Sequence, residues 1–136
     1  MKHIVVDRIL GIGLLAVFLS ACGGGGDSTP PPPLVCDGGS AVTVSWDANR
    51  ETAVNTSGGG YVVYFSKSTG FSPGDANVCS QAIPYVSGTT APTSAIIEPP
   101  SGTWYVRVAA TSQLNAPGTT GGSESAASSQ TTVVVP

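Results

Sequence analysis

Cysteine, histidine and carboxylate side chains hold most of the chemistry open to a small protein, and in this 136-residue chain they are few and scattered. Cys22, Cys36 and Cys79 stand far apart, and the single histidine, His3, lies at the start. A zinc site draws about four ligands from Cys and His, usually with two of them closely spaced. No such pair occurs, so no metal or other cofactor is expected. A serine or threonine nucleophile needs a base within hydrogen-bond reach, normally an imidazole. The many hydroxyls here have none beyond His3 and are expected to solvate strands and turns. Glycoside hydrolysis would need two acids held across a cleft, whereas Asp47, Glu51, Asp75, Glu98 and Glu124 are spread over loops and strand ends. The expectation is a protein that is not an enzyme. Its net charge of −3 describes a sparse acidic surface that repels phosphate backbones, so nucleic acid is not an expected partner.

The elements that would position any functional group begin with the amino terminus. Lys2 and Arg8 precede the apolar run ILGIGLLAVFL, residues 9–19, which is too short to cross a bilayer core of about 30 Å as a helix. Such a run behind a charged start reads as the hydrophobic region of a secretory leader. It ends in Leu19, Ser20, Ala21 and Cys22, which together resemble the lipobox of bacterial lipoproteins. The resemblance implies that residues 1–21 are a signal peptide, that the Cys22 thiol carries a diacylglycerol, and that the amine released by cleavage is acylated. One acyl chain holds a protein to a membrane only marginally, and two or three hold it stably. The alternative is a conventional leader with a chance cysteine.

Residues 22–33, CGGGGDSTPPPP, then form a tether. Its glycines give a flexible coil, and its prolines favour a polyproline II rod of about 3.1 Å per residue. Gly23 directly after the cysteine resembles lipoproteins exported to the outer membrane. The implied location is the bacterial cell envelope, lipid-anchored, with the periplasmic and surface faces both open.

Residues 34–136 carry the fold. They are rich in Gly, Ser, Thr, Val and Pro, which favour short strands and turns over helices. AVTVSWD (41–47) puts Val42, Val44 and Trp46 on one face, and YVVYFSK (61–67) puts Tyr61, Val63 and Phe65 on one face. TSAIIE (93–98) offers Ala95 and Ile97. TWYVRVAAT (103–111) offers Trp104, Val106, Val108 and Ala110, and TTVVV (131–135) closes the chain. Short alternating runs separated by Gly, Pro, Ser and Asn clusters predict two packed antiparallel sheets.

The series VTVSWDAN, GGYVVYFS, TSAIIEPPSGTWYVRVAATS and SESAASSQTTVVV resembles a fibronectin type III domain of the bacterial kind, in the order of that family's strands B, C, E, F and G. The resemblance implies an all-β, immunoglobulin-like antiparallel sandwich with Trp46 and Tyr61 in its core. The family's corner tyrosine aligns with Trp104, and Pro99 or Pro100 replaces the leucine before it. An indole N–H donates one hydrogen bond and accepts none, so the corner must be held differently. The same topology places Cys36 and Cys79 at one pole, where an oxidising compartment favours a disulfide; two unpaired thiols are the alternative.

At the opposite pole the topology gathers the connections 48–59, 86–92 and 112–127. Arg50, Glu51, Gln113, Leu114 and Asn115 are the candidate binding residues there, because loops on a rigid sandwich commonly carry recognition. The plainer interpretation is that NTSGGG and GGSESAASS are solvated, flexible connections. Val62, Tyr64 and Tyr105, flanked by Arg107, form a second candidate surface on the outer face of one sheet. The expected role is a non-catalytic module for a protein or carbohydrate partner, held to the membrane through Cys22. The competing role is a passive spacer or envelope-assembly subunit.

Overall fold

Two-residue alternation becomes alternate burial wherever one face of a strand meets a partner sheet. A computed structural model describes residues 4–8, 34–113 and 122–136 of the chain. In it the strands are β1 (Ile4–Arg8), β2 (Val42–Trp46), β3 (Gly60–Ser66), β4 (Cys79–Pro84), β5 (Ser94–Ile97), β6 (Gly102–Gln113), β7 (Gly122–Glu124) and β8 (Thr131–Val135). Val42, Val44 and Trp46 of β2 are buried while Thr43 and Ser45 are half-buried. β3 and β6 alternate in the same way, with Val63, Trp104, Val106 and Val108 fully enclosed. Among the described residues there is no helix.

The strands form two antiparallel sheets. One runs β1-β2-β5; the other runs β4-β3-β6-β7, with β8 also paired to β6. Their inner faces supply one core, in which Val44 and Ile97 of the first sheet meet Val63 and Val106 of the second. The Trp46 and Tyr61 rings lie 5.2 Å apart and tilted, which links the sheets near one end. Phe65 and Trp104 meet edge-on at 5.7 Å near the other.

Five strands fall where the alternation predicts them, with β6 running on to Gln113. β4 falls just before the 86–92 connection, in a stretch that alternation alone leaves unassigned because CSQAIP shows little of it, and β7 lies inside the connection expected over 112–127, GSE being too short to show any. β1 lies inside the segment interpreted as a leader. It pairs with β2 over five residues, Ile4 opposite Trp46, Val6 opposite Val44 and Arg8 opposite Val42.

The turn from β5 to β6 shows how the chain manages without the corner tyrosine. Trp104 is fully buried, and its Nε1–H donates to the Pro100 carbonyl at 2.7 Å. Nearby, Gly39 donates to the Glu98 carbonyl at 2.8 Å. A Cβ on Gly39 would collide with the Pro99 carbonyl, so only glycine lets the entering chain lie this close. Trp104→Phe keeps an aromatic ring but loses the N–H and some volume. It is expected to cost about 2 kcal/mol in urea unfolding, and an unchanged midpoint and slope would show that the indole bond ties nothing.

Cys36 and Cys79 form a disulfide with their Cα atoms 5.7 Å apart. Cys79 is the first residue of β4 and is buried in the core. Cys36 lies on the segment leading into β2, so the bond joins the entry of one sheet to an edge strand of the other.

Candidate recognition surface at the loop pole

β2 and β6 end, and β3 and β5 begin, at the pole away from the disulfide. The connection 47–59 between β2 and β3 is a built structure. Asn49 Oδ1 accepts from the Glu51 N–H at 2.8 Å, and the Asn49 N–H donates to the Tyr61 hydroxyl at 2.6 Å. Asn55 is the hub. Its Nδ2 donates to the carbonyls of Asn49 and Glu51 at 2.7 and 3.0 Å, and its Oδ1 accepts from the Ala91 N–H at 3.0 Å. Val54, 2% exposed, inserts into the core beneath the turn. These bonds use the side chain of the residue that opens NTSGGG, and at the other end the Gly59 carbonyl accepts from the Tyr85 N–H at 2.9 Å, so a stretch with the composition of a flexible connection is held at both ends.

Arg50 and Glu51 project from this loop and are exposed. Among the described residues neither side chain engages in an ion pair or hydrogen bond. Gln113 reaches the same pole from the end of β6. Gly58, at φ 85°, leaves room for it, since a Cβ there would collide with the Gln113 side chain. The structure therefore brings Gln113 against the β2–β3 loop that carries Arg50 and Glu51. Leu114 and Asn115 lie outside the described residues. Asn49, Val54 and Asn55 escaped the sequence-based expectation; the only cue was an Asn at each end of a loop, a residue that bonds backbone readily.

The outer face of the larger sheet is more covered than expected. Arg107 is half-buried with its guanidinium carbon 5.6 Å from the Phe71 ring centre. Its Nη1 donates to the Ser128 carbonyl at 3.4 Å, and its Nε is buried without an acceptor. Phe71 itself is 3% exposed although it lies in the β3–β4 connection. That connection is pinned by Gly70, whose N–H donates to Gln130 Oε1 at 2.7 Å, and by Gln130 Nε2, which donates to Thr69 at 3.1 Å. An aromatic stranded among turn-forming residues in STGFSPGD was the cue to Phe71. Val62, Tyr64 and Tyr105 are half-buried, so the strip is narrow.

Tyr64 donates its hydroxyl proton to Glu124 Oε2 at 2.7 Å. Burial, then the hydrogen bond and the negative charge of Glu124, push its pKa up from 10.0 to about 12. The unfolded chain releases this proton first as pH rises. The bond's contribution to stability is therefore complete below pH 10 and lost as pH climbs towards 12. Glu124→Gln is expected to lower the Tyr64 pKa part of the way, leaving the share due to burial. An ultraviolet titration of the variant that superimposed on the parent's would show that the carboxylate does not act on Tyr64.

Among the described residues there is no cavity, and no group of three or more His, Cys, Asp or Glu side chains that could hold a metal ion. No helix among them is long and apolar enough to cross a membrane. Models of known families, curated proteins and solved structures yield no match to the chain.

Proposed function

We propose that this chain is a bacterial cell-envelope lipoprotein in which one fibronectin type III domain serves as a non-catalytic module for a protein or glycan partner. The strand order within residues 34–136 supports the domain reading: β2-β5 facing β4-β3-β6-β8 follows the B-E and C′-C-F-G strands of that family, with the Trp46 and Tyr61 rings in tilted contact. The anchor rests on Cys22 at the end of the apolar run, followed by a Gly/Pro tether that lifts the domain from the headgroups.

One observation carries the recognition role. The loop bearing Arg50 and Glu51 is ordered by Asn49 and Asn55 yet presents both charged side chains outward. A preorganised loop loses little entropy on binding, and arginine is a frequent anchor of interfaces. The test is crosslinking in cells with recovery through the domain, comparing the parent with Arg50→Ala/Glu51→Ala. A recognition module is expected to lose its partner by about tenfold or more, the effect of roughly 1.4 kcal/mol or more at the contact. A spacer would keep its neighbours unchanged, and that result overturns the reading. β1 favours a different arrangement of the amino terminus, in which Ile4–Arg8 stays with the domain as a strand.

A further inference from the structure

What the β1 side of β2 offers is decided by which way its backbone groups point. The Trp46 N–H bonds the Thr93 carbonyl at 2.9 Å, on the β5 side. Along an antiparallel strand, successive residues turn both backbone groups to opposite neighbours. Val42, Val44 and Trp46 therefore serve β5, while Thr43 and Ser45 serve β1, where they stand opposite Asp7 and Val5. Removal of residues 1–21 would take away β1 and strip only Thr43 and Ser45 of their partners.

The chain that remains is poorly suited to replace it. Residues 30–33 are four prolines, which have no N–H to give a ladder. Two of the residues after them are committed elsewhere, Cys36 to Cys79 and Gly39 to Glu98. An edge with unpaired N–H and C=O groups is a template for a strand from another chain.

We propose that in the lipoprotein the β2 edge accepts an extended segment of a partner protein, added antiparallel where this structure seats Ile4–Arg8. The segment has apolar residues at the two places registered with Val44 and Trp46, as Val6 and Ile4 are. It has N–H donors at the places opposite Thr43 and Ser45, which excludes proline from both. The inference rests on the lipoprotein reading, and the experiment separates the two. The protein is purified from membranes in detergent and its mass fixes the amino terminus. Amide hydrogen exchange is then followed by NMR at Thr43 and Ser45, alone and with a synthetic peptide of residues 1–9.

The expected result is a terminus at Cys22 and exchange at Thr43 and Ser45 about tenfold or more faster than at Val44 and Trp46. Added peptide slows the first pair, and a peptide carrying Val5→Pro and Asp7→Pro does not. An intact residue 1 overturns the lipoprotein reading and this inference together. A Cys22 terminus with Thr43 and Ser45 already slow, or unmoved by the peptide, overturns this inference alone.

Discussion

Cys36→Ala/Cys79→Ala is expected to lower the unfolding free energy by about 4 kcal/mol, because the crosslink spans a sequence separation of 43 and chain entropy scales with the logarithm of that loop. Small domains have only about 5–15 kcal/mol in total, so the change removes a large share. In a thermal scan it corresponds to a fall of roughly 15–30 °C for a domain of this size. Packing adds to the effect, since the Cys79 sulfur is buried in the core and alanine leaves its volume unfilled. The position matters as well as the loop. Cys36 precedes β2 and Cys79 opens β4, so without the bond only noncovalent contacts such as Gly39 to Glu98 hold the entering segment at that pole. The double variant avoids the lone reactive thiol that either single change would leave. A loss below about 1 kcal/mol by urea unfolding would mean that the reduced chain is already restrained there, against the chain-entropy account.

The core was legible because its signal is local. Val42, Val44 and Trp46, or Val106 and Val108, are spaced by two, and any strand with one wet face must show that spacing. The disulfide was legible only through topology, which places Cys36 and Cys79 at one pole before any distance is known. Phe71 and Val54 were not legible, because each is a single apolar residue in a loop whose burial depends on tertiary placement. Phe71 has its place because Gln130 holds Gly70 and Thr69 across the chain. Asn55 was missed for the same reason: its partners Asn49, Glu51 and Ala91 come from two loops that meet only in the fold. Of the candidate site, sequence placed Arg50 and Glu51 on a loop at the pole away from the disulfide, where the structure also has that loop, but did not reveal that the loop is braced. β1 was hidden by competition. The residues IVVDR have the β-branched content of a strand, and the charged start and apolar run around them read as a leader.

Cys22→Ala tests which of those two uses of the amino terminus operates in the cell. A leader whose residues 9–19 engage the membrane would hold Ile4–Arg8 at the lipid, away from the edge of β2, so membrane engagement and pairing with β2 exclude one another. The lipoprotein reading expects the variant to keep residues 1–21 and to carry no acyl group, because only the thiol can receive the diacylglycerol. On that reading two or three acyl chains would hold the parent stably, whereas the variant has at most one short apolar run. Extraction of envelopes with carbonate should therefore leave the parent in the membrane fraction and release most of the variant, with mass spectrometry reporting the two termini. The Cys36–Cys79 bond does not involve Cys22, so the domain's thermal transition should be unchanged, which separates loss of the anchor from misfolding. A variant that stayed acylated and membrane-held would overturn the anchor assignment. A parent purified with residues 1–21 intact and no lipid would do the same, and would assign Ile4–Arg8 to the sheet edge on which the structure seats it.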